Sequence, residues 1–394
     1  MHTRKLYLYG MHDWSLILTT LIYVQTATVF ATIAVAWIDL LKALSISYTL
    51  LGVISVIGAG LSMISMMIGG SLVSHFGART TMIFTAPLLF VSHAILALFP
   101  STMTLIIVNV GWGLGFGALI VACTAVVIDW ERERRKRIID PFQASWNIAS
   151  IVGALLGGWL LSIGYDFKQI MWLAVMTSVP LWICLLFTAI PGSGIVEEQG
   201  NPLESLRVLR LDRSLSVLAI IIIVITFAQN VGVTWSPIYL DTLGADPLIS
   251  GAALAAFQGA TALFRLINGV LVRWFGDKVV LWSGALGVII AGTLLLISRD
   301  QYIVLSAFIL LGSAVAGAQP TAISLGVRLL PTRTALVSAG ILAVGEVGFV
   351  LSTPVLGWVS DLASLQYSLS LALPCGIIAF LLVFGIPQTK PTAS

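Results

Sequence analysis

Twelve apolar runs divide this chain, at about 15–38, 47–69, 80–99, 102–128, 141–163, 168–190, 214–239, 249–272, 278–298, 301–327, 334–359 and 365–386. About 20 apolar residues are needed to cross the hydrocarbon core of a bilayer. Inside that core every backbone amide must find a partner within the protein, and a helix does this segment by segment. Barrel strands would be shorter and would alternate polar with apolar residues. Composition agrees. The chain is 58% hydrophobic and 9% charged, with mean hydropathy +1.04, whereas soluble domains carry roughly 25% charged residues. The expected fold is an all-α membrane protein with twelve transmembrane helices. The first run lacks a short core followed by a small-residue cleavage site, so it reads as a retained span.

The second constraint is an internal repeat. Residues 69–79 read GGSLVSHFGAR and residues 268–278 read NGVLVRWFGDK. Gly70 matches Gly269, Leu72 matches Leu271, Val73 matches Val272, Phe76 matches Phe275, Gly77 matches Gly276, and Arg79 matches Lys278, each 199 positions apart. The same offset pairs Gly113 with Gly312, Gly158 with Gly357 and Trp159 with Trp358. One offset holding at sites so far apart argues for a duplication with few insertions. Two repeated helix bundles with a substrate site between them are the ground plan of many secondary transporters. The predicted boundaries are residues 1–190 for the first six-helix bundle, 191–213 for a cytoplasmic linker and 214–394 for the second bundle. Residues 191–213, PGSGIVEEQGNPLESLRVLRLDR, break the apolar pattern with Pro, Gly and mixed charge.

Basic residues set the expected direction. With the amino terminus in the cytoplasm, the inner segments hold Arg79, Arg132, Arg134, Arg135, Arg207, Arg210, Arg273, Lys278, Arg328, Arg333 and Lys390, among others. The outer loops hold only Lys42, Lys168 and Arg299. That is the positive-inside bias, and it predicts a multi-pass protein of the inner or plasma membrane with both termini in the cytoplasm. ERERRKR, residues 131–137, reads as a solvated, lipid-facing cytoplasmic loop.

Several function classes lose support. A net charge of +3 leaves no electrostatic footprint for nucleic acid. Cys123, Cys184 and Cys375 lie in apolar runs, and His2, His12, His75 and His93 form no ligand pattern, so no metal or cofactor is expected. No GxxxxGK[ST] loop is present, which argues against ATP hydrolysis, and the glycine strings in apolar runs follow no strand. No Ser/His or paired-Asp arrangement within the spans suggests an enzyme.

Twelve spans, a central linker and a glycine-bearing loop after spans two and eight resemble the major facilitator superfamily. Its loop signature is G-x-L-x-D-R-x-G-R-[RK]. This chain keeps Gly70, Leu72, Gly77 and Arg79, and replaces the acid with Ser74 in the first copy and Arg273 in the second. GALLGG, residues 153–158, is similar to the span-five signature without its proline. Residues 233–276 and 131–158 resemble bacterial transporters related to the fucose permease. The resemblance implies two pseudo-twofold-related bundles and alternating access. The fucose permeases' membrane acids in spans one and four have no counterpart: Asp39 and Asp129 stand only at span edges.

The loop residue types have physical reasons. Gly77 and Gly276 allow backbone geometry that a Cβ resists. Gly70 and Gly269 are expected to let helices approach closely. Ser74 keeps a hydroxyl able to cap a helix but no charge, which implies a weaker latch than the family's. The set Gly70, Ser74, Gly77, Arg79, Gly269, Arg273 and Gly276 is the expected gating loop. The small-residue strings at 111–118, 153–158 and 312–318 read as packing seams.

Two charged residues stand well inside spans: Arg265 in span eight and Glu346 near the middle of span eleven. A charge at mid-bilayer costs about 2.5–3.5 kcal/mol on insertion scales, so it faces water or a partner. Their depths differ by roughly 7–8 Å at helical rise, within reach of one another. Glu346 is the expected carrier of the coupling proton, with Arg265 attracting an anionic group; the plainer reading is a structural ion pair or a neutral, hydrogen-bonded Glu. The expected cavity adds Tyr23, Gln25, Asn109, Trp146, Asn147, Gln229, Asn230, Gln258 and Gln319, each of which can equally bond a neighbouring helix. Pro237 and Pro320 are expected to break helices beside the cavity, and Trp235 and Tyr239 to lie at the outer interface. The functional expectation is a monomeric secondary transporter for a small organic solute, with proton-coupled uptake. The alternatives are drug or metabolite efflux, and a sensor or scaffold that kept the fold without transport.

Overall fold

The computed structural model describes residues 2–136, 138–190 and 202–386, with backbone only at 2–12, 202–203 and 335. Among the described residues there are helices and no strand. Helices α1 (His2–Leu44), α2 (Tyr48–Leu98), α3 (Thr102–Arg134), α4 (Ile139–Ser162) and α5 (Phe167–Phe187) come first. A short α6 (Pro202–Val208) follows in the expected linker, whose residues 191–201 lie outside the described residues. Then come α7 (Arg213–Thr242), α8 (Pro247–Phe275), α9 (Asp277–Ile297), α10 (Gln301–Val315), α11 (Ala318–Leu329), α12 (Thr334–Leu362), α13 (Leu365–Leu369) and α14 (Ala372–Val383).

Among the described residues, eleven helical stretches are long and apolar enough to cross a membrane. One of them, α2, has 51 residues. At about 1.5 Å per residue it would reach roughly 75 Å, more than twice the ~30 Å apolar core. It is two arms meeting at Gly77, whose backbone (φ 81°, ψ 155°) is not helical. The twelve expected arms are therefore present. The turn between the second and third contracts to one residue, with helix running through the residues expected to form a loop. The tenth arm is split between α10 and α11. Pro320 has no N–H to donate to the carbonyl of Ala316, and the helix breaks at that point. Pro237, by contrast, is accommodated within a continuous α7.

Contacts divide the chain into two units. One holds the residues up to Ser45 and resumes at Ile57; the other holds Ile46–Val56 together with the second half of the chain. The 199-residue repeat is visible inside them. Gly276 (φ 83°, ψ 158°) repeats the backbone of Gly77. Arg79 donates to the carbonyl of Leu186 at 2.6 Å, and Lys278 to that of Ile386 at 3.0 Å. Each caps the carbonyl end of its unit's last helix, where a cation is favoured. A Cβ on Gly113 would collide with the carbonyl of Gly58, and one on Gly312 with that of Phe257; both pairs are again 199 positions apart. The indole N–H of Trp182 bonds Ile83 at 3.0 Å, and that of Trp282 bonds Phe380 at 3.2 Å, tying the third and sixth helices of each unit.

Helix starts are written in short polar side chains. Ser101 and Thr104 form a capping box, as do Asp166 and Gln169. Asp212, Asp246 and Asp300 each accept first-turn amides. These groups satisfy N–H donors that a helix leaves orphaned.

Candidate substrate and coupling sites

In the first unit, aromatic side chains from four helical arms form one contiguous wall. Tyr23 of α1 stacks on Phe142 of α4 at 4.1 Å between ring centroids and meets Trp146 at 5.2 Å. Phe30, two turns further along α1, lies 5.9 Å from Trp112 and 6.2 Å from Trp146. Trp112 and Phe116 of α3 are near-parallel at 5.2 Å, Phe116 meets Trp146 at 5.7 Å, and His93 of α2 closes on Trp112 at 5.6 Å. Tyr23, Phe142 and His93 are buried, whereas Phe30, Trp112, Phe116 and Trp146 are half-buried.

The backbone explains why α3 presents these rings. A Cβ on Gly113 or Gly117 would collide with the first arm of α2, and one on Gly111 or Gly115 with its second arm. Successive residues step by about 100° around a helix. Alternate glycines thus clamp α3 against two neighbours while Trp112 and Phe116 emerge on a third face. The 111–118 string, read from sequence as a packing seam, is also half of the aromatic wall. Sequence reasoning selected Tyr23 and Trp146 and missed Phe30, Trp112 and Phe116. The seven-residue step from Tyr23 to Phe30 and the Asn109, Trp112, Phe116 spacing were the available signals.

The amides of the first unit divide. Gln25 donates to Ser178 at 2.7 Å and Thr177 at 3.3 Å. It borders a cavity of about 30 Å³ shared with Thr26, Phe90 and Trp182, room for a water or two and too little for an organic solute. Asn109 is buried, donates to the carbonyl of Leu105 at 3.0 Å and packs on Gly58. Asn147 and the indole N–H groups of Trp112 and Trp146 have no hydrogen-bond partner among the described residues.

In the second unit, Asn230 is wholly buried and donates to Ser352 at 2.6 Å and Thr353 at 2.7 Å, while accepting from Thr234 at 2.5 Å. It joins α7 to α12. Its neighbour Gln229 is half-buried without a partner among the described residues, and Gln258 is buried, likewise without one. The amide nitrogen of Gln319 lies 3.1 Å from where a Cβ on Gly345 would stand, against the turn of α12 that carries Glu346.

Whether Arg265 and Glu346 pair was open from the sequence; both are exposed on the chain's surface, and neither has an ion-pair or hydrogen-bond partner among the described residues. Among the described residues of this unit, Arg328 pairs with Asp277. Three expectations change. Ser74 does not cap a second helix; its hydroxyl turns back to the carbonyl of Ser71 at 2.9 Å, one turn upstream. Gly269 is not a close-approach residue, since a Cβ there would meet nothing within 4 Å. Trp235 and Tyr239 are not interface aromatics. Both are buried, and Trp235 meets Tyr48 at 5.8 Å. Of the remaining loop residues, Gly70 is buried and Arg273 is exposed.

The profile of the Major Facilitator Superfamily matches residues 17–344 and 240–394, so the chain belongs to that superfamily. Among solved structures it is similar to the nucleoside transporter NupG, at 13% identity and TM-score 0.76 over 95% of this chain and 98% of that one. It is similar to a bacterial homolog of the human lysosomal transporter Spinster, at 16% identity and TM-score 0.77 over 95% and 96%. It is also similar to the Escherichia coli fucose:proton symporter FucP, at 16% identity and TM-score 0.61 over 96% and 100%. At these identities the likeness is one of fold. No curated protein matches the sequence.

Proposed function

We propose that this chain is a secondary active transporter that moves a small organic solute by alternating access and takes it up with a proton. Superfamily membership and the repeated six-helix plan support transport, and they favour it over an enzymatic role. The excess of basic residues on one side supports placing both termini in the cytoplasm of an inner or plasma membrane. The gating role of the loops around Gly77 and Gly276 is part of the same proposal.

The observation that carries proton coupling is Glu346. It is a carboxyl within an apolar span with no ion-pair or hydrogen-bond partner among the described residues, on the turn of α12 against which Gln319 packs at Gly345. A carboxyl that no cation holds in its charged form can take up a proton and release it where water reaches it, which a locked ion pair resists. Arg265, likewise without a partner among the described residues, is available to a carbonyl of the solute.

The test is Glu346→Gln in proteoliposomes. Uptake driven by an imposed pH gradient should vanish while solute counterflow, which needs no net proton movement, persists. Full pH-driven accumulation in that variant would remove Glu346 from the coupling step.

A further inference from the structure

We infer that the half-buried aromatic wall of the first unit is the recognition surface for the solute, and that the solute is an uncharged molecule with a flat, aromatic ring bearing one or two hydrogen-bond acceptors. This rests on the transport reading above and adds the substrate class.

Three observations converge. First, Phe30, Trp112, Phe116 and Trp146 are linked ring to ring, yet each remains partly open. Such faces attract another ring by offset stacking or edge-to-face contact. Second, the polar groups on the wall's rings without a hydrogen-bond partner among the described residues are few: the indole N–H groups of Trp112 and Trp146 and the hydroxyl of Tyr23. Two of these are donors only, which matches a ring carbonyl or ring nitrogen. A hexose brings a hydroxyl on nearly every carbon, each needing a partner once desolvated, and this wall does not supply them. Third, no Asp, Glu, Lys or Arg occurs at 14–38, 80–128 or 141–165, the segments that build the wall. A charged solute resting here would lose hydration with nothing to replace it. The alternating glycines of α3 fix Trp112 and Phe116 from behind through backbone contacts, so the stacking face is formed before a ligand arrives, which limits the ordering cost of binding.

The experiment uses the purified full chain. Thermal-shift binding and proteoliposome counterflow are measured with radiolabelled uracil and nicotinamide as neutral flat-ring probes, fucose and xylose as sugars, and benzoate as a charged ring. The expected result is saturable binding and exchange of a flat-ring neutral probe. Trp146→Leu should raise its KM about tenfold, at the upper end of what a ring contact contributes, and Trp146→Phe should raise it much less. If Trp146→Leu fails to fold, Phe116→Leu takes its place with the same expected direction. Sugars or benzoate exchanging while uracil and nicotinamide neither bind nor exchange would overturn the substrate class and leave transport standing. Flat-ring probes that bind, lose affinity in Trp146→Leu, and never exchange would overturn transport and leave the substrate class standing. Binding unchanged in both Trp146→Leu and Phe116→Leu would remove the wall from recognition.

Discussion

The carboxylate of Asp361, near the end of α12, receives the backbone N–H of Thr49 at 2.7 Å and that of Tyr48 at 3.1 Å, at the start of α2. Both partners lie in the second contact unit. The first amides of a helix have no partner of their own, and its positive end favours an anion. Close approach is enforced nearby, because a Cβ on Gly357 would collide with the carbonyl of Tyr48. Asp361 therefore serves α2 as a cap delivered from another helix. Asp361→Ala should cost about 1 kcal/mol, seen as a lower Tm, and Asp361→Asn should cost less because an acceptor oxygen remains. Equal Tm values for wild type and Asp361→Ala would show that these bonds contribute nothing net.

The Arg328–Asp277 pair gives a second prediction. The Asp277 side chain is 4% exposed and that of Arg328 is 31% exposed. Removing the arginine strands part of a desolvated carboxylate, whereas removing both charges does not. Arg328→Leu should lower Tm, and adding Asp277→Asn should recover part of the loss, a coupling on the order of 1–3 kcal/mol. Simple additivity of the two substitutions would show that the charges do not depend on one another.

The glycines of the second copy of the repeated loop are predicted to behave in opposite ways. At Gly276 the backbone sits at φ 83°, a region where a Cβ is strained by about 1–3 kcal/mol. At Gly269 nothing stands within 4 Å of a built Cβ. Gly276→Ala should reduce folded yield and Tm, while Gly269→Ala should be nearly silent, changing stability by less than about 0.5 kcal/mol. Destabilisation by Gly269→Ala would mean that the loop adopts a second, tighter arrangement.

These contrasts show what was legible in the sequence. The twelve arms, the repeat and the superfamily followed from run length and from matched residues, because a bilayer leaves the backbone few choices. Side-chain partners did not follow. A buried amide in an apolar span declares only that some partner exists, and Gln25 and Asn230 found hydroxyls 152 and 122 residues away. Trp235 has the composition of an interface residue and the burial of a core one, which depends on which face of α7 is covered. The Arg265 and Glu346 pairing rested on depth alone. Depth fixes one coordinate, and azimuth around each helix decides contact.

Gln229 and Asn230 are adjacent in sequence and make the sharpest test of that distinction. Asn230 is fully buried with donors and acceptor engaged across α7 and α12. Its loss leaves three hydroxyls without this partner and a cavity behind, at about 1–3 kcal/mol for an unsatisfied buried group. Gln229, one step of about 100° around the helix, is half-buried and has no partner among the described residues. Asn230→Ala should lower Tm and reduce transport only in proportion to folded protein. Gln229→Ala should leave Tm unchanged and raise the KM for solute in counterflow if its amide meets the ligand. The reverse assignment, a Tm loss for Gln229→Ala and an intact fold with altered KM for Asn230→Ala, would move the binding face of α7 to its other side.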